Sequence, residues 1–253
     1  EEPKNNYENV KSSFRQLAGV EIVTGSSSLP STPLLRDFSL YAEGSTLDKA
    51  INHRNIAVDE NYFKAMNIPI VAGRELIFET DSLSWSSYYR RVIVNETSLK
   101  MLNIEFDKAI GTKLFSEWNG EKFTHEIVGV VSDFHQYSLH DDMAPLIFSI
   151  PAVRATHNFL LVSTTDQDPK NLIASLESEW KTIVPNTPFE SLLLTDSIAR
   201  QYEEDTRTST ILSIATMLAI LISCLGLYGL SIYVAERKVK EIGIRKVLGA
   251  SVG

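Results

Sequence analysis

Residues 211–235, ILSIATMLAILISCLGLYGLSIYVA, carry no charged side chain. Wound as one helix at about 1.5 Å per residue, the run is about 37 Å long. A bilayer core of about 30 Å asks for about 20 apolar residues. Core helices of globular proteins rarely run this long without a polar face, and the run sits at the wrong end of the 253 residues for a secretion signal. It therefore reads as a membrane-spanning helix, and it divides the chain.

Charge is distributed around that division. Residues 1–210 hold 30 of the 32 acidic and 19 of the 24 basic side chains, whereas residues 236–253 hold Arg237, Lys238, Lys240, Arg245 and Lys246 against Glu236 and Glu241. Basic residues on the C-terminal flank place 236–253 in the cytoplasm and 1–210 outside it. An acidic body of this kind argues against a nucleic-acid binder. Tyr228 and Tyr233 suit the cytoplasmic interface of the membrane, and Gly226, Gly229 and Ser223 permit close helix packing. The single cysteine, Cys224, lies in the apolar run, so no disulfide forms within the chain and the outer domain depends on its core.

The outer residues read as α+β. Tyr7, Val10, Phe14 and Leu17 have helical spacing, Gly19 stops the helix, and VEIVTGSSS follows as a strand. NFLLVST (158–164) is a strand, Asp168-Pro169 opens a helix with Leu172, Leu176, Trp180 and Ile183 on one face, and FESLLL (189–194) is the next strand. A split ferredoxin-like layer needs a strand before its first helix, and the expectation is that this strand lies upstream. Between these ends, RNIAVDENYFKAMNI and RRVIVNETSLKMLNI share a strand, cap and helix texture suggestive of duplication. Asn119-Gly120 marks a hairpin, and PLIFSIP is a further strand. The expected organisation is a porter-like α/β layer from 1–40 and 152–195, an inserted strand-rich subdomain at 41–151, a stalk helix at 196–210 capped by Thr195, the membrane helix at 211–235 and a short cytoplasmic helix within 236–253.

Chemistry is sparse. His125, Asp133, His135, His140, Asp141 and Asp142 fall close together, but no zinc spacing accompanies them. They read as a strand and a following loop, with Asp133 capping backbone donors and the histidines at the surface. TGSSSLPS lacks a nucleophile elbow and reads as a turn. No phosphate-binding glycine loop occurs, so no cofactor and no enzymatic activity of its own is expected.

The tail is more specific. Ile244, Val247 and Leu248 share one face of a short helix, Arg245 and Lys246 project elsewhere, and Gly243 and Gly249 interrupt it. AERKVKEIGIRKVLGASVG resembles the cytoplasmic segment of FtsX-like ABC permeases of the MacB type, ungapped from 241 to 251. SSSLP (26–30), VDENYFKAMNIPIVAGREL (58–76), VIVNETSLKMLNI (92–104), GVVSDFHQYSLHDDMAPLIF (129–148) and SIARQYEEDTRTSTIL (197–212) resemble recurring blocks of the MacB-like periplasmic core domain. The resemblance implies a fragment of a bacterial inner-membrane permease, most similar to the second repeat of a two-repeat chain. Its coupling segment, Glu241, Ile242, Gly243, Ile244, Arg245, Lys246, Val247, Leu248 and Gly249, would contact a cytoplasmic ATPase. It further implies a second permease half or homodimer partner, membrane lipid, and a periplasmic adaptor or substrate protein. The rival expectation is an extracytoplasmic sensor domain whose helix signals inward.

Overall fold

The computed structural model describes residue 3 and residues 6–30, 37–82, 88–136, 142–153, 157–165 and 169–248, without the side chains of 197–208, 246 and 247. His140, Asp141, Asp168 and Gly249, named above, lie outside the described residues. Two units are distinct, Glu1–Leu194 and Thr195–Gly253. The chain is mixed α/β with a long apolar helix in its C-terminal part.

In the first unit, helix α1 (Tyr7–Arg15) precedes β1 (Val20–Ser26). Far along the chain, β9 (Phe159–Thr164) precedes the helix Lys170–Ile183. β1 and β9 pair antiparallel. Their apolar residues form one core of Val10, Phe14, Val23, Leu172, Leu176 and Val184, flanked by Leu17, Leu160, Val162, Trp180 and Ile183. The strand expected at 189–194 does not form: residues 189–193 join neither sheet, and Leu194 already opens the long helix that follows. Its first residue is held where Phe189 stands edge-on to Trp180 at 6.0 Å while the Trp180 indole N–H donates to the Thr187 carbonyl at 2.9 Å. Leu192 and Leu193 are exposed.

The intervening residues build a second sheet. Its strands are β2 (Asp37–Ala42), β3 (Ile51–Ala57), β4 (Ile70–Gly73), β5 (Tyr89–Asn95), β6 (Lys113–Trp118), β7 (Glu121–Val131) and β8 (Leu146–Ser149). Spatial order is β4-β7-β5-β8-β3-β2-β6, and β6 also pairs with β7. Six strands therefore close into a barrel, with β4 added on β7. Inward-facing Leu40, Val92, Val94, Leu114, Ile127, Val130 and Ile147 fill it. A second cluster, with Ile56, Val58, Ile93, Leu146 and Phe148, packs outward onto Tyr62 and Phe63 of α2 (Tyr62–Ala65). Asn119 and Gly120 close the β6–β7 hairpin with φ of 51° and 80°, the mirror-image turn that matches strand twist.

The two similar stretches share a local device. After α2, Asn67 takes φ 53°, its N–H bonds the Lys64 carbonyl at 3.2 Å and the Ile68 N–H bonds that of Phe63 at 2.8 Å. The helix Glu96–Met101 ends the same way: Asn103 takes φ 55°, with Asn103 to Lys100 at 3.2 Å and Ile104 to Leu99 at 2.9 Å. Both are Schellman caps, in which the left-handed residue turns the chain and the next apolar residue returns to the core. Asn95 caps the second helix from its N-terminus. Its side-chain oxygen accepts from the Ser98 N–H at 3.2 Å and the Leu146 N–H at 2.9 Å, and its amide donates to Asp133 at 2.8 Å.

A polar junction ties the two-stranded sheet to the barrel. Beyond β1, the Ser27 N–H bonds the Ala57 carbonyl at 2.8 Å and the Asp59 N–H bonds that of Gly25 at 2.9 Å. The buried Asp59 carboxylate pairs with buried Lys11 of α1 and accepts from the Tyr7 hydroxyl at 2.7 Å. Burial alone would raise the Asp59 carboxyl. The hydrogen bonds from Lys11 and Tyr7, with the Lys11 charge, outweigh it and hold the group below the usual carboxylate range. Gly25 makes room for this contact, since a Cβ there would lie 2.3 Å from the Tyr7 hydroxyl oxygen. A buried pair is costly to break from one side, because the remaining charge stays desolvated. Lys11→Met and Asp59→Asn are each expected to lower stability by about 3 kcal/mol or more, and the double variant by less than the sum. Urea unfolding of the four proteins measures the cycle.

Candidate functional site

The second unit is the continuation of one helix, α6, counted after α3 (Phe78–Asp81), α4 (Glu96–Met101) and α5 (Lys170–Ile183). It runs from Leu194 to Val247, 54 residues. It begins one residue before Thr195, which therefore lies inside the first turn and does not cap it. Within it, Ser209–Arg245 is long and apolar enough to cross a membrane: an 18-residue window inside it has a mean hydropathy of 2.3, and none of that window is buried. Hydroxyl groups in this stretch bond back to the helix, Ser213 to the Ser209 carbonyl and Thr216 to that of Leu212, both at 2.8 Å. Such bonds satisfy polar side chains without outside partners.

The cytoplasmic helix expected as a separate element is not separate. Helical geometry passes through Gly243 without a break. One glycine costs a helix only about 1 kcal/mol relative to alanine. Here Glu241 and Arg245 pair across it at 2.6 Å with the favourable i, i+4 spacing. Among the predicted coupling residues, Ile242, Ile244 and Leu248 are all exposed. At about 100° per residue, Ile244 and Leu248 share a face beside Glu241 and Arg245, whereas Ile242 falls on the opposite flank. The helix holds Lys246 and Val247 in its backbone.

The acidic and histidine cluster does not converge. Asp133 serves the fold: it accepts from the Thr97 N–H at 2.8 Å and the Thr97 hydroxyl at 2.9 Å. His135 is half-buried, and no group of three metal-ligating side chains occurs among the described residues. His125 corrects the surface expectation. It points into the barrel and is fully buried, because position 125 shares the inward face of β7 with Ile127. Its Nε2 lies 2.8 Å from the Ser116 hydroxyl. Burial, then the charges of Arg90 and His53, lower its pKa to about 3.

His53, Arg90 and Lys11 escaped the sequence reading. Lys11 stands four residues after Tyr7 and three before Phe14, on the apolar stripe of α1, and a charge at such a position signals a buried partner. His53 and Arg90 likewise occupy strand positions that face the core.

No family model and no curated protein matches the chain. Among solved structures, it is similar to the extracellular domain of the noncanonic ABC-type transporter YknZ from Gram-positive bacteria. Identity is 13%, over 71% of this chain and 82% of that one, with a TM-score of 0.44. It is also similar to a domain described as that of a permease protein from Porphyromonas gingivalis, at 13% identity over 74% of this chain and 87% of that one, with a TM-score of 0.47.

The unfolded chain protonates His125 near pH 6.5 and the folded chain only near 3, so acid favours unfolding throughout that window. Between pH 7 and pH 5, unfolding experiments are expected to show wild type losing about 2 kcal/mol more than His125→Gln. Equal losses would show that His125 carries no such penalty.

Proposed function

We propose that this chain is a fragment of an ABC transporter permease of the FtsX-like, MacB type, which couples ATP hydrolysis in a partner ATPase to movement of an extracytoplasmic domain. One observation carries this reading: an unburied apolar helix continues unbroken through Glu241 to Val247, where Ile244 and Leu248 stand exposed beside an ordered Glu241–Arg245 pair. Uncovered apolar side chains set among charges suit a partner surface. Ile244 and Leu248 would seat against the ATPase, with Glu241 and Arg245 fixing register, and Ile242 would face away from that contact.

In this reading the chain has no ATPase activity of its own. Its helix crosses the bacterial inner membrane, residues 1–210 lie outside and 236–253 inside. The β1–β9 sheet with its helices belongs to a porter-like, split ferredoxin-like layer, and the unit is the second repeat of a two-repeat permease or one half of a homodimer. Substrate export or extraction proceeds by mechanical transmission, with an adaptor or substrate protein met outside.

The unbroken helix also favours a second reading, an extracytoplasmic sensor that signals inward, since no break at Gly243 uncouples the tail. Against it, heptad spacing does not continue: Ala235, Val239 and Ile242 keep it, but the next such position is Lys246. In the intact permease, Arg245→Ala and Gly243→Leu are expected to lower coupled ATPase activity and ATPase co-purification about tenfold, the scale of an interface hot spot. Unchanged activity and co-purification in both variants would remove the coupling assignment.

A further inference from the structure

One end of the barrel holds a polar cluster that the permease reading does not use. Arg90 on β5 stands beside His125 on β7 in the parallel ladder, and Phe38 on β2 stands opposite His53 on β3. The Phe38 ring joins the pairs: its centroid lies 5.9 Å from that of His125 and 6.0 Å from the Arg90 guanidinium carbon. Phe123 covers the guanidinium from another side at 5.0 Å and packs against Tyr88 at 5.3 Å. Three buried nitrogens in this cluster, Arg90 Nε, His53 Nε2 and His125 Nδ1, have no hydrogen-bond partner among the described residues. No acidic side chain pairs with Arg90 among those residues. The adjacent Glu126 is engaged by Tyr89 and Arg91.

The His53 tautomer follows from its partner. His53 Nδ1 lies 2.9 Å from the Ile51 carbonyl oxygen, which only accepts, so Nδ1 carries the hydrogen and Nε2 presents a lone pair. Burial lowers the His53 pKa and keeps the ring neutral at pH 7. The Ser116 hydroxyl both donates and accepts, so it leaves the His125 tautomer open; where it donates to Nε2, His125 Nδ1 carries a hydrogen. In that tautomer the cluster offers two donors, one of them cationic, and one acceptor. A fully deprotonated anion leaves His53 Nε2 unsatisfied, and water leaves Arg90 without counter-charge.

We infer that this end of the barrel binds a monoprotonated phosphate group, whose oxygens accept from Arg90 and His125 and whose hydroxyl donates to His53. Free phosphate and the headgroup of a phosphomonoester lipid share this chemistry. The test is titration calorimetry on the whole 253-residue chain in an uncharged detergent at pH 7, with inorganic phosphate, sulfate and short-chain phosphatidic acid as separate probes. Saturable binding of phosphate is expected, with sulfate, which lacks the hydroxyl, at least about tenfold weaker. Binding of phosphatidic acid without inorganic phosphate would assign the group to lipid, and binding of both would assign it to free phosphate. Arg90→Lys keeps the charge and removes Nε–H, and is expected to weaken binding about tenfold or more. His53→Leu, checked for retained near-ultraviolet dichroism, is expected to abolish the preference for phosphate over sulfate. No saturable heat from either phosphate probe, equal affinity for sulfate, or wild-type binding by Arg90→Lys would overturn the inference.

Discussion

Everything in the barrel depends on satisfying the backbone of one strand. β7 has eleven residues, and along one edge β5 pairs with it from Thr124 to Val131. Its other edge is shared: β6 takes Glu121 to Glu126, and β4 takes Gly129 to Val131. At the handover, the Gly111 N–H reaches the Ile127 carbonyl at 2.8 Å and the Arg74 N–H reaches that of Val128 at 3.0 Å. Two glycines make this possible. A Cβ at Gly73 would lie 2.2 Å from the Val128 carbonyl oxygen, and one at Gly129 would lie 2.4 Å from that of Arg74. The close crossing lets β6 leave β7 toward β2, and that departure closes the ring.

Local signals in the sequence were readable because local chemistry decides them. Asn119-Gly120 specifies its turn wherever it occurs, and Asn95 caps the helix that its own strand leads into. Barrel closure was not readable, since β6 meets β2 through only two residue pairs, Tyr41 with Phe115 and Ala42 with Leu114. Such distant pairing leaves no periodic trace. The misread strand at 189–194 has the same origin: an apolar run proposes a strand, but only a neighbour makes one. Gly243 failed differently. A weak helix breaker was read alone, while the Glu241–Arg245 pair spanning it was read as two separate charges. For the coupling segment, the order of residues was legible, but the grouping of Ile244 with Leu248, apart from Ile242, needed the continuous helix.

Polar groups inside this molecule fall into two kinds. At the junction, Asp59, Lys11, Tyr7 and the backbone of Glu60 satisfy one another, so burial is compensated. At the barrel end, His53, His125 and Arg90 keep unused nitrogens in the same low-dielectric interior. The first arrangement joins two layers, and replacing either partner alone is costly for that reason. The second holds hydrogen-bonding capacity that the fold itself does not consume, framed by aromatic rings that keep the guanidinium in place.

The unbroken course of α6 has a geometric consequence. Without a hinge, the backbone keeps one helical phase along its 54 residues, so the azimuth of Arg245 is set by that of Asp196. Twist applied at one end arrives at the other undiminished, along with any axial displacement. Adding a single residue would turn the two ends by about 100° relative to each other while lengthening the rod by only about 1.5 Å. Such a helix is far more sensitive to register than to length, and torque is as natural a signal for it as thrust.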